Sequence, residues 1–86
     1  MSINESIKGE NNSLPSNIRI LFGKSVRNSR MSMGISQEEL AFRCGLHRTY
    51  ISDVERGTRN ISLENIERIA LSLEVPINQL MDFSNI

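Results

Sequence analysis

The chain has 86 residues, ten Lys and Arg against ten Asp and Glu, one cysteine and one histidine. That length bounds it to a single domain with a modest core, to which association with a second copy would add useful stability. The counts exclude an intramolecular disulfide and a Cys/His zinc site, and no cofactor is expected. No apolar run approaches the ~18 residues of a membrane span. The polar start MSINESIKGENNS lacks a secretory core, so no membrane association and a cytoplasmic location are expected. Zero net charge counts against nucleic acid, which favours a basic surface. Placement matters more than the sum, however. Arg43, Arg48, Arg56 and Arg59 fall in one stretch, while Glu64, Glu67, Glu74 and Asp82 fall later, which predicts an electrically lopsided molecule.

In chain order, residues 1–16 hold few apolar side chains and are expected to be a flexible tail. An extra turn packed through Ile3 and Ile7 is the alternative. From Asn17 to Met33 the pattern is helical, with Ile18, Leu21, Phe22, Val26, Arg30 and Met33 recurring at threes and fours. Arg30 is the odd member of that stripe, since a buried arginine requires a partner. Gly34 and Ile35 make the turn into Ser36, whose hydroxyl, with Glu39 three residues on, forms a predicted capping box.

A short helix follows from Gln37 to about Cys44, with Leu40, Ala41 and Cys44 on its inner face and Phe42 pointing away. Phe42 is expected at the domain edge or under the tail. Cys44 reads as a buried structural thiol. Gly45 ends the helix in a left-handed conformation. A second helix runs from about His47 to Glu55 and is closed by Gly57. Two helices crossing steeply need a small residue at the contact and a sharp turn between them, and Ala41 and Gly45 meet both needs.

At about 100° per residue, Ile51, Val54 and Glu55 of the second helix share one arc, with Tyr50 at its edge. Arg48, Thr49, Ser52, Asp53 and Arg56 share the opposite arc. A helix in the major groove wants such a donor-rich face, with arginine for guanine and Ser or Thr for phosphate or base. Glu55 is as misplaced on its core arc as Arg30 is on its own, and the simplest account pairs the two.

Thr58 to Ile61 form a linker. Ser62 caps the next helix, which carries Leu63, Ile66, Ile69, Ala70 and Leu73 towards the core and ends at Val75-Pro76. Pro76 suits the start of a short last helix bearing Ile77, Leu80 and Met81, followed by Phe83 and Ile86. These apolar residues exceed what a small core needs. A dimer surface of Leu71, Ile77, Leu80, Met81 and Phe83 is therefore expected; a simple core lid is the alternative.

Gln37, Leu40, Ala41, Gly45, Leu46, Ile51, Val54, Glu55 and Gly57 together resemble the helix-turn-helix of phage repressor and Cro proteins. The HRTYIS and ERGTRN runs, Ser62-Leu63 and Leu73-Glu74-Val75-Pro76 also resemble restriction–modification controller proteins. The resemblance spans roughly Ile18 to Met81. It implies an all-α, compact five-helix, lambda-repressor-like domain over residues 17–86 with a central helix-turn-helix. The implied function is a transcriptional regulator binding double-stranded DNA as a homodimer, not an enzyme. An antitoxin or protein-interaction module on the same fold is the alternative. RNA polymerase is a further candidate partner, since activation needs such a contact, although no residue marks one.

The implied roles are base reading by Arg48, Thr49 and Ser52, and phosphate or positioning contacts by Gln37, Arg43, His47, Tyr50, Arg56, Arg59 and Asn60. The resemblance also matches Arg30 and Glu55 to a buried pair. His47 departs from the pattern, because related proteins often place a capping aspartate there; it is expected at a phosphate, with stronger binding when protonated. Asp53 is awkward, since a carboxylate near phosphates repels them unless it accepts a hydrogen bond from cytosine.

Overall fold

The computed structural model describes residues 17–86, so the expectations for residues 1–16, including Ile3 and Ile7, lie outside the described residues. Five helices follow one another: α1 (Ile18–Met33), α2 (Gln37–Cys44), α3 (Arg48–Arg56), α4 (Leu63–Leu73) and α5 (Ile77–Leu80). No strand occurs among the described residues. The architecture is the all-helical one that the sequence pattern implies.

The helix ends have local causes. Ser36 Oγ accepts the Glu39 amide at 3.0 Å, and Ser62 Oγ accepts the Asn65 amide at 3.1 Å, each satisfying one of the donors that a helix start leaves unpaired. The predicted capping box is only half made. Glu39 turns its carboxylate to Arg43, one helical turn on, at 2.9 Å instead of back to Ser36. Between α2 and α3, Gly45 has φ +71° and its amide bonds back to the Phe42 carbonyl. Glu74 ends α4 with φ +59°, a conformation that costs a non-glycine residue about 1–2 kcal/mol. The Val75 amide closes that turn on the Ala70 carbonyl at 3.1 Å.

The core gathers Phe22 and Val26 from α1, Leu40, Ala41 and Cys44 from α2, Ile51 and Val54 from α3, Ile69, Ala70 and Leu73 from α4, and Leu80 from α5. Leu40, Ile51, Ile69 and Leu80 are fully enclosed, each contributing roughly 1.5–3 kcal/mol over an exposed position. Burial also holds the Cys44 thiol above its ordinary pKa.

Three expectations need correction. Leu80 is 1 % exposed inside a single chain and is therefore core, not dimer surface. Ser25, itself buried, fixes it there by donating its hydroxyl to the Leu80 carbonyl at 2.5 Å. Leu63 is 81 % exposed, because it stands in the first turn of α4 at the edge of the arc set by Ile69, Ala70 and Leu73. Ile18, the first residue of α1, is also exposed.

Gly23 lets α1 approach α3 closely. A Cβ there would lie 2.4 Å from the Val54 carbonyl oxygen and 2.7 Å from that of Glu55, distances no side chain tolerates. Gly57 is doubly required: its φ is +78°, and a Cβ would come within 2.8 Å of the Ile20 Cα. These two close approaches set the height of α3 against α1, and so how far its outer face stands out from the domain.

Candidate nucleic-acid interface

The inner side of the two-helix unit is held by one ionic network. Arg30 Nε donates to Glu55 Oε2 at 2.6 Å and Arg30 Nη2 donates to Glu55 Oε1 at 3.0 Å. Arg30 Nη1 donates to the Ile35 carbonyl at 2.8 Å, and Gln37 Nε2 donates to Glu55 Oε1 at 3.0 Å. The fork-on-carboxylate geometry is the strong form of a charge-assisted bond. Hydrogen bonding to Glu55 raises the pKa of Arg30, against the opposite pull of burial. Gln37 thus turns its side-chain amide inward, onto Glu55.

The outer side of α3 is organised differently. His47, in the N-cap position, makes no side-chain cap bond. Arg48 and Thr49 follow, both exposed, and Arg48 has no hydrogen-bond or ion-pair partner among the described residues. Ser52 accepts a bond from Arg56 Nη1 at 2.8 Å. Asp53 is shared: Oδ1 accepts from Arg56 and Oδ2 accepts from Arg59 at 2.9 Å. The Arg59 guanidinium also lies over the Tyr50 ring, 4.6 Å from its centroid, well within cation–π range. The Tyr50 hydroxyl accepts from Asn65 Nδ2 at 2.9 Å, which ties α3 to α4.

Every arginine of the unit other than Arg48 is therefore held by a carboxylate: Arg43 by Glu39, and Arg56 and Arg59 by Asp53. Asn60 is exposed beside Arg59, and the two line a surface groove of about 440 Å³ with Arg19. The awkward Asp53 of the sequence thus has cationic partners within its own chain. Its i,i+3 spacing to Arg56 was a signal available beforehand. The sharing with Arg59 and the inward turn of Gln37 were not.

Charge is divided along the chain. Residues 17–59 carry Arg19, Lys24, Arg27, Arg30, Arg43, Arg48, Arg56 and Arg59 against Glu38, Glu39, Asp53 and Glu55. Residues 60–86 carry Arg68 against Glu64, Glu67, Glu74 and Asp82. The cationic excess belongs to α1–α3 and the acidic excess to α4 and beyond.

A second surface is apolar. Leu63, Ile66 and Ile77 line a groove of about 340 Å³ flanked by Glu64 and Glu67. Leu71 is 72 % exposed, while Met81 and Phe83 are half-buried against the core. No helix among the described residues is long and apolar enough to cross a membrane.

Comparison with known proteins agrees with this geometry. The helix-turn-helix family profile matches residues 26–80. The chain is similar to the control protein C.BamHI of Bacillus amyloliquefaciens, with 58% identity over 74 residues, covering 85% of this chain and 91% of that protein. Among solved structures it is similar to the restriction-modification controller protein C.AhdI from Aeromonas hydrophila, at TM-score 0.70 and 46% identity over 71% of this chain and 92% of the other. It is also similar to the hypothetical transcription factor NHTF from Neisseria, at TM-score 0.73 and 46% identity over 81% and 83%.

Proposed function

The chain belongs to the helix-turn-helix family, and from that premise we propose that it is a restriction–modification controller. In this reading it regulates transcription as a homodimer, each protomer laying α3 into the major groove of a pseudo-palindromic operator. The observation that carries the reading is the start of α3. Arg48 is exposed and unpaired, with Thr49 beside it, whereas the neighbouring arginines are each engaged by a carboxylate. The N-terminal residues of such a helix are those that reach base edges. A free guanidinium there can take O6 and N7 of guanine together.

Arg43, His47, Tyr50, Arg56, Arg59, Asn60 and the start of α2 at Gln37 supply backbone contacts that fix register. Ser52, bonded to Arg56, stands one turn behind Arg48 and Thr49 on the same face. Two protomers joined through Leu63, Ile66, Leu71 and Ile77, with Met81 and Phe83 at the margin, would present two such helices. One helix covers only a few base pairs, so recognition needs the pair.

Selection of bound duplexes from a random pool tests this. The expected product is two related half-sites about 34 Å apart on one face of the duplex, and a pool without enrichment would contradict it. Transcription in vitro from the selected site, with and without the protein, reports whether RNA polymerase is recruited or blocked.

A further inference from the structure

Asp53 lies on the outer arc of α3, where a carboxylate faces the phosphates of any duplex the helix enters. Its side chain is 19 % exposed and both oxygens are occupied, one by Arg56 and one by Arg59. Its main chain is engaged as well. The Asp53 carbonyl accepts the Thr58 amide at 3.0 Å and the Thr58 hydroxyl at 3.2 Å. One residue thus anchors both the backbone and a side chain of the linker after Gly57. Tyr50, steadied by Asn65, supplies the floor on which the Arg59 guanidinium rests.

We propose that Asp53 is a specificity-determining positioning residue, which holds Arg56 and Arg59 in fixed directions and halves their charge, so that they serve a matched duplex but grip an arbitrary one poorly. The inference rests on the DNA-binding reading above. Two free arginines would attract any phosphate, and that sequence-independent attraction supplies nearly all non-specific binding. Clamped to a shared carboxylate, the trio carries one net positive charge instead of two. Arg59 uses only Nη2 on Asp53, which leaves Nε and Nη1 to meet a phosphate that arrives in the right place. A phosphate elsewhere is reached only by leaving both Asp53 and the Tyr50 ring. The clamp therefore suppresses wrong sites more than the right one, which is how repulsive elements produce discrimination.

Asp53→Asn keeps the shape and the two main-chain bonds to Thr58 while removing the charge. Binding of the wild-type protein and the variant to the duplex selected above, and to a scrambled duplex, is measured across a series of salt concentrations. Each further phosphate neutralised by the protein steepens the salt dependence by about 0.9 and, at ~0.1 M salt, tightens binding up to about eightfold. The variant should therefore bind the scrambled duplex several-fold more tightly, with a slope steeper by about one. Its selected-to-scrambled ratio should fall. In the Arg59→Ala background the effect should shrink, because Asp53 acts through that arginine.

An unchanged ratio and slope in a variant that melts cooperatively would overturn the proposal. So would an equal tightening with and without Arg59. Asp53→Ser, measured in the same way, supplies the answer if the asparagine variant does not fold. A wild-type protein that discriminates between no duplexes at all would instead refute the DNA-binding reading itself, a result distinguishable from failure of the clamp.

Discussion

Replacing Glu55 by alanine removes the centre of the inner network. The Glu55 side chain is 4 % exposed and that of Arg30 is 13 % exposed, so little solvent is available to take over. Arg30 would lose two charge-assisted bonds and keep only the Ile35 carbonyl, and the Gln37 amide would lose its acceptor. Removing one partner of a buried pair typically costs about 3–5 kcal/mol, because the other charge is stranded. A folded region of this size has a total stability of roughly 4–10 kcal/mol, so the loss takes away at least about a third of it. At about 4–8 °C per kcal/mol for a small domain, the melting temperature should fall by roughly 12–40 °C.

Arg30→Ala should do similar damage by stranding the carboxylate, with only Gln37 left to it. The double variant should be much less destabilised than the two losses added together. Replacing the pair with apolar residues of similar volume should be nearly neutral. Thermal and urea unfolding of the three variants measures all of this. Small effects that add would refute the reasoning, since they would mean that the two side chains do not depend on each other.

Other outcomes follow from the packing. Gly23→Ala should destabilise by about 1–3 kcal/mol, as overpacking does, and should weaken DNA binding by pushing α3 away from α1; urea unfolding and a binding titration on one sample check both. Leu80→Asp should give an unfolded chain, since it buries an unpaired charge. Leu63→Asp and Ile77→Asp should stay folded yet sediment as monomers at micromolar concentration, and a dimer indifferent to both would move the interface elsewhere. Cys44, with its pKa raised by burial, is short of thiolate at neutral pH, so a thiol reagent should label it slowly in the folded protein and quickly in urea.

Much of this was legible because it is local. Ser36, Gly45, Gly57, Ser62 and Pro76 mark where helices start and stop by their own conformational limits, and α2 spans the residues those marks enclose. Arg30 and Glu55 were legible for a different reason: a charge on an apolar stripe is costly enough to demand a partner. What escaped depends on distances between segments remote in sequence. Nothing near Gly23 announces that the carbonyls of Val54 and Glu55 will lie against it. Nothing near Leu80 announces that Ser25 will hold its carbonyl, so periodicity alone puts a core leucine on the surface. Leu63 failed in the opposite sense, because helical periodicity gives an arc but not where the neighbouring helix ends. Glu39 and Asp53 differ, because the arginines that engage them, Arg43 and Arg56, lie one turn away on the same helix. The capping box expected of Glu39 and the cytosine contact considered for Asp53 each compete with that nearer arginine.

The most direct test of the reading is competition binding by Arg48→Ala, with the selected duplex against a scrambled one, at several salt concentrations. Arg59→Ala is the control, since on this reading that arginine reaches only phosphate; it should weaken the selected duplex more than the scrambled one, flatten the salt dependence on the selected duplex by about one, and leave the preferred bases unchanged. A bidentate arginine–guanine pair is worth about 1–3 kcal/mol of discrimination. Loss of Arg48 should therefore lower the selected-to-scrambled ratio by about fivefold to a hundredfold per half-site, relax the preference at one or two positions, and leave binding to random DNA nearly as it was. A ratio unchanged by Arg48→Ala would show that α3 does not read the sequence.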